Sequence, residues 1–281
     1  MPSQPKLALK DSVALVTGAG GGIGNALALN LARRGCHLAL ADYKAETLAG
    51  TAQAARALGV TVSEHVFDIA GPAAIAAFPA AVEASHGRLT VLINCAGVAL
   101  AGTFEQCSLD EFEWLININF WSVVRMTKAF LPLLKAQPEA QIVNISSIFG
   151  LVGTPGQVAY SASKFAIRAV SESLLQEFEM DGIHIGVTCV HPAGVKTPIA
   201  RNTRVAAAMP QELVNRDMWE RPLTDPPEIA AEQIVNGLVQ RKKRVLCGKL
   251  AVMADIVQRV SPTHYSDVFK MAMGGGRPPK R

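Results

Sequence analysis

Val13-Ala14-Leu15-Val16-Thr17-Gly18-Ala19-Gly20-Gly21-Gly22-Ile23-Gly24 runs from an apolar stretch of strand length into a glycine-rich turn and on into a segment of helical periodicity over 22–34. Glycines at such a strand-to-helix turn let backbone amides approach a pyrophosphate, whose charge the unpaired N–H groups and the helix dipole stabilise. The spacing is TGxxxGxG; a GxGxxG register would need glycine where Ile23 stands. Taken alone, the cluster also answers to a flexible turn that needs glycine for conformational reasons.

Working outward, Asp42 closes the second apolar run, 18 residues after Gly24. A carboxylate there can hold both ribose hydroxyls of an adenosine and would repel a 2'-phosphate, so the pattern predicts NAD rather than NADP. An aspartate at a strand end also serves as a turn or helix cap. Asp68, in Val66-Phe67-Asp68-Ile69, has the same double reading.

Beyond the first turn, strand-length runs at 13–17, 38–41, 60–67, 91–94, 142–145, 185–190 and 245–247 alternate with helical patterns at 22–34, 45–58, 72–86, 108–136, 157–180 and 228–241. That alternation predicts a doubly wound α/β fold of the Rossmann-like kind: about seven parallel strands with helices on both faces. Ser108-x-x-Glu111 forms a capping box, whereas Pro79 conflicts with an unbroken third helix. No repeat or low-complexity linker divides the chain, so residues 1–281 are read as a single domain with mobile ends at 1–10 and 274–281. Thr197 to Pro227 is a long insertion, expected to close over a substrate, with Val205, Ala206 to Ala208, Met209 and Trp219 as candidate apolar wall.

Composition narrows the function classes. With 49% hydrophobic and 18% charged residues, the 281-residue chain is too apolar to be mainly disordered. A net charge of +4, dispersed along the chain, does not mark nucleic acid as a partner. Cys36, Cys95, Cys107, Cys189 and Cys247 are widely spaced without a CxxC pair, which favours reduced thiols and a cytoplasmic location. The first eleven residues lack a signal-peptide core, and the longest uncharged stretch, 140–163, is interrupted by Gly150, Gly153, Pro155 and Gly156, so neither secretion nor a membrane span is expected. No HExxH or paired CxxC suggests a metal, and Ser147 is not in GxSxG. Arg241-Lys242-Lys243-Arg244 reads as a solvated helix end.

Tyr160 and Lys164 are four apart in a helical pattern, which puts phenol and ammonium on one face. A cation beside a phenol favours the phenolate and should bring its pKa down from about 10 toward the range of a general acid/base. The pair by itself is a weak signal.

Together, however, TGAGGGIG at 17–24, NCAG at 94–97, an asparagine at 119, NISS ending at Ser147, YSASK at 160–164 and HPAGVKT at 191–197 resemble the short-chain dehydrogenase/reductase family, in order and over nearly the whole chain from Asp11 to about Pro262. The resemblance implies a catalytic tetrad. Tyr160 would exchange a proton with the substrate oxygen, Lys164 would hold the nicotinamide ribose and tune the tyrosine, Ser147 would donate a hydrogen bond to that oxygen, and Asn119 would anchor a water relaying protons to Lys164. Asn117 competes for the last role. Cofactor positions carry over to Gly18, Gly22, Ile23 and Gly24 at the pyrophosphate, Asp68 and Ile69 at the adenine, Asn94, Ala96 and Gly97 after the fourth strand, and Val195 and Thr197 at the nicotinamide amide. Two departures stand out: Cys95 replaces the usual second asparagine, and Ala193 is inserted into the usual Pro-Gly.

The expected activity is reversible hydride transfer between NAD(H) and a secondary alcohol or ketone, with a small hydrophobic substrate. The family also suggests a homotetramer or dimer packed through 108–136 and 157–180. An NADP-dependent carbonyl reductase is one alternative, and a non-catalytic nucleotide-sensing protein of the same fold is another.

Overall fold

The computed structural model describes residues 6–214 and 216–267. In chain order its strands are β1 (Val13–Thr17), β2 (His37–Asp42), β3 (Val62–Val66), β4 (Val91–Asn94), β5 (Leu100–Ala101), β6 (Ala140–Ile145), β7 (Ile185–Pro192), β8 (Arg204–Val205) and β9 (Arg244–Cys247). The helices are α1 (Gly22–Arg33), α2 (Ala45–Arg56), α3 (Pro72–His86), α4 (Leu109–Ile116), α5 (Ser122–Lys135), α6 (Val158–Met180), α7 (Pro198–Arg201), α8 (Arg216–Glu220), α9 (Pro227–Val239) and α10 (Lys249–Val260). Seven strands form one parallel sheet in the order β3-β2-β1-β4-β6-β7-β9.

Residues of β1 alternate between two cores, as the two-residue period of a strand requires. Ala14 and Val16 point into one cluster with Leu27, Leu31, Ile234 and Leu238 of α1 and α9. Val13 and Leu15 point into the other with Phe78, Phe130 and Phe178 of α3, α5 and α6. Both faces of the sheet are thus covered, which is why β1, β4 and β6 are buried throughout and mostly apolar. Strand order reverses between β1 and β4, and ligand sites in such sheets lie at the carboxyl ends of the strands beside that reversal.

The structure departs from the sequence expectations in four places. α3 continues through Pro79 as a 15-residue helix, with Phe78 and Val82 still packed inward on either side of the proline. The expected helix over 108–136 is broken by a π-helical turn at Asn117–Trp121, where Ser122 N–H bonds the Asn117 carbonyl five residues back. The insertion is not an open loop: β8 pairs in parallel with β5, and Val195 bridges to Asp225. Finally, residues 6–10 are packed rather than loose. Leu7 and Leu9 are buried in the core, and Leu7 N–H donates to the Val239 carbonyl; residues 1–5 and the tail at 274–281 lie outside the described residues.

Candidate active site

The glycine turn leaves β1 at the strand reversal. Gly18 has φ +68°, and a β-carbon there would meet the Ala96 backbone at 2.8 Å, so only glycine lets the turn lie against the end of β4. The same contact fixes Ala96, whose N–H, like that of Cys95, bonds Thr17 Oγ1. Gly24 packs as tightly, since a β-carbon would lie 2.1 Å from the Gly18 carbonyl oxygen. α1 begins after Gly21 with no side-chain cap and no acidic residue in its first turn. Its first N–H groups are therefore oriented for an outside anion. Thr197 flanks this turn, 3.2 Å from the position a Gly22 β-carbon would take, and Ile23 packs onto the core beneath.

Asp42, ending β2, turns its carboxylate into the turn: Oδ2 accepts from Gly20 N–H at 2.9 Å and Oδ1 from Lys44 N–H at 3.0 Å. It therefore stands beside the glycine turn and also closes a local turn of its own. Asp68 is exposed, with Oδ1 accepting from Ala70 N–H, while Ile69 packs on the core that holds Phe78 and Phe130. Asn94 donates to Asn144, its register partner on β6, and its Oδ1 is buried without a partner. Val195 is buried next to its bridge with Asp225.

Tyr160 and Lys164 lie in the first turns of α6, both buried, with Nζ 5.5 Å from the phenol ring centre. Lys164 Nζ donates to the Ile145 carbonyl at 3.0 Å. Ser147 follows two residues later, its Oγ accepting from Phe149 N–H at 3.2 Å, and the Phe149 ring meets Tyr160 edge-on at 6.0 Å. Asn119 comes from the π turn, fully buried. A β-carbon on Gly97 would lie 3.2 Å from Asn119 Oδ1 and 3.6 Å from Lys164 Nζ, so these three positions converge.

The π turn separates the two asparagines. Asn117 donates to the Ala70 carbonyl and accepts from Arg125, which places it at the loop before α3. Asn119 Oδ1 accepts from Val98 N–H, and its Nδ2 donates to the Val98 carbonyl and to Ser163 Oγ. Both amide protons are engaged, so Nδ2 has none left for a water. Ser163 in turn donates to the Tyr160 carbonyl, joining Asn119 to the start of α6.

Electrostatics differ from the sequence expectation. Burial pushes the Tyr160 phenol up to about 12, against the pull of the Ser147 side chain toward the phenolate. The same burial brings Lys164 down to about 8, offset in part by the nearby Cys95 and Cys189 thiols. Loss of water is the largest influence on the phenol, and the neighbouring ammonium does not overcome it.

Three residues act beyond what their motifs announced. Glu111, read only as a cap, uses its second oxygen to accept from Ala207 N–H at 3.0 Å and faces Arg204, tying the insertion to α4. Trp114, with Arg204 over its ring, joins the apolar cluster around Tyr160 together with Phe149, Ile199, Ala206 and Met209. Trp219, expected in the wall, instead lies under Arg216 of its own helix. His191 is fully buried, and its Nδ1 reaches the Ser147 carbonyl. The basic run is not simply solvated: Arg244 pairs with Glu172 and Asp255, and Lys243 with Glu179.

Comparison with known proteins agrees with this arrangement. A family model described as short chain dehydrogenase matches residues 12–208. SadH of Mycobacterium tuberculosis, named as an oxidoreductase, is 42% identical over 256 residues, 91% of this chain and 93% of that protein. Mouse epidermal retinol dehydrogenase 2 is 29% identical over 280 residues, 97% of this chain and 87% of its own. A short-chain dehydrogenase/reductase from Burkholderia phymatum, solved in complex with NAD, superposes with a TM-score of 0.83 at 25% identity, covering 98% of this chain and all of that one. A doubly wound sheet with an uncapped glycine turn at its strand reversal and a Tyr-Lys pair at its carboxyl edge, matched by that family model over most of its length, belongs to the short-chain dehydrogenase/reductase family of oxidoreductases.

Proposed function

We propose that this enzyme interconverts a secondary alcohol and its ketone with NAD(H), using Tyr160 as general acid/base. The observation that carries the reading is the convergence of a buried phenol, a buried lysine 5.5 Å from its ring and the Ser147 hydroxyl at the sheet edge that also bears the glycine turn. The residues fit a dinucleotide: Gly18, Gly22, Ile23 and Gly24 form an uncapped anion cradle, and Asp42 sits 2.9 Å from Gly20 N, where an adenosine ribose would be met. Asp68, Ile69, Asn94, Ala96, Gly97, Val195 and Thr197 complete the proposed cofactor surface. When bound, the nicotinamide supplies the hydride acceptor or donor.

The chain's own groups do the rest. Ser147 donates to the substrate oxygen and Tyr160 gives or takes the proton there. Lys164, oriented by the Ile145 carbonyl, holds the ribose while its charge favours the phenolate. Asn119 shapes the proton path through the backbone it fixes at Val98, and any relay water is held by groups other than its Nδ2. Phe149, Trp114, Ile199 and Met209 favour an apolar substrate. The retinol named for the mouse relative is likewise apolar, though a primary alcohol.

A carboxylate at Asp42 favours NAD over NADP, since a 2'-phosphate would meet like charge. A homo-oligomer is supported by apolar side chains exposed on and beside α4 to α6, among them Phe104, Leu109, Trp121 and Phe165, and sedimentation would test it. No helix among the described residues is long and apolar enough to cross a membrane; a cytoplasmic location is part of the proposal.

Initial rates with a panel of aliphatic and aryl ketones and alcohols, each with NADH or NADPH, test the reading. Turnover of hydrophobic ketones with NADH preferred supports it. NADPH preference would favour the carbonyl-reductase alternative, and cofactor binding without turnover of any member would favour a sensing role.

A further inference from the structure

We propose that His191 is a positioning residue for Ser147, its Nδ1–H clamping the Ser147 carbonyl at the point where that residue leaves the sheet. The inference rests on the reading of Ser147 as hydrogen-bond donor to the substrate oxygen.

The β6–β7 ladder pairs Ile145 with Val190, and its last rung is Ser146 N–H to the Val190 carbonyl at 2.8 Å. The next rung is made by a side chain. His191 Nδ1 lies 2.9 Å from the Ser147 carbonyl oxygen, which can only accept, so Nδ1 carries the proton. The imidazole is fully buried and held neutral, its pKa pushed down to about 4, chiefly by burial, with Arg244 and Arg168 adding to the shift and the Ser147 carbonyl and Asp255 opposing it. Cys189 Sγ stands 3.5 Å from Nε2, and burial pushes that thiol up to about 12, so it remains an S–H donor. Both ring nitrogens are thus assigned, and the tautomer with the proton on Nδ1 is locked.

Ser147 itself is extended, with φ −168° and ψ 169°, and caps the short 3-10 turn Ile148–Gly150, whose Gly150 N–H donates to the Ser147 carbonyl at 2.9 Å. Its carbonyl is held on one side by that turn and on the other by His191, its Oγ accepts from Phe149 N–H, and the preceding Ser146 Oγ donates to the Lys164 carbonyl at 2.8 Å. With one lone pair of Oγ so engaged, the hydroxyl proton turns toward the Tyr160 oxygen, the place where a substrate oxygen would be met. A side chain 44 residues on in sequence therefore helps set the aim of the hydroxyl beside Tyr160.

Asn and Gln separate this role from bulk packing, because Asn can place an amide N–H near Nδ1 whereas Gln places it near Nε2. We expect His191→Gln to lower kcat for ketone reduction about 10–100-fold with NADH affinity unchanged, and His191→Asn to keep most of the activity. In a Ser147→Ala background, His191→Gln should change kcat less than about twofold, since its effect passes through the missing hydroxyl. An equal drop in both backgrounds, or a folded His191→Asn protein as impaired as His191→Gln, overturns the proposal. If His191→Gln does not fold, the His191→Asn rate decides alone. Ser147→Ala with undiminished kcat would instead overturn the reading of Ser147 on which the inference stands.

Discussion

Lys164 hangs its ammonium on the carbonyl of Ile145, the last residue of β6, at 3.0 Å, and does so from a fully desolvated position. Holding a cation there favours loss of its proton: the pKa falls from 10.5 to about 8. The unfolded chain therefore binds this proton more tightly, and stability from this group rises with pH between about 8 and 10.5, the full cost being present below about 8. That shift corresponds to about 3 kcal/mol at neutral pH. Lys164→Met should abolish turnover yet raise the melting temperature at pH 7 by several degrees, with the advantage shrinking toward pH 10. A less stable Lys164→Met protein at pH 7 contradicts this.

The Tyr160 phenol, pushed up to about 12, makes the two reaction directions respond differently to pH. Alcohol oxidation needs the phenolate and should climb steadily from pH 6 to 9, whereas ketone reduction uses the phenol and should stay level or decline. Parallel rises in both directions would argue against Tyr160 as the proton exchanger.

Asp42 gives one carboxylate oxygen to Gly20 N–H and the other to Lys44 N–H. Replacing it with alanine removes the anion that favours a free ribose, so NADH should bind about 10–100-fold more weakly while NADPH binds more tightly. Fluorescence titration with both cofactors checks this; equal weakening of the two would mean that Asp42 only supports the turn.

Glu111 joins α4 to the insertion through Ala207 N–H and Arg204. Glu111→Ala leaves that amide without its acceptor, and limited proteolysis between residues 204 and 223 should speed up about tenfold. The KM for ketone should rise with NADH affinity unaffected. Unchanged cleavage would show the insertion to be held by β5 and β8 alone.

Much of this was legible because the signals were local. The alternation of apolar runs placed all seven strands of the sheet, and the turn after β1 needed only glycine spacing and Asp42. What stayed hidden depended on distant pairing. The π turn has no periodic signature, since Asn119 turns inward only when Val98 and Ser163 are there to bond it. His191 reads as the start of the HPAGVKT motif beyond the run 185–190 until β7 extends through it and β6 brings the Ser147 carbonyl to it. The wrong sign for Tyr160 had a similar origin: spacing revealed the neighbouring cation but not the depth at which both groups lie.

Single-turnover hydride transfer by Tyr160→Phe, measured against its NADH dissociation constant, tests the central claim most directly. The rate should fall about 10²–10⁴-fold, with NADH bound as tightly as before. A Tyr160→Phe protein that reduces ketone at the parent rate would show that the proton reaches the substrate from another group.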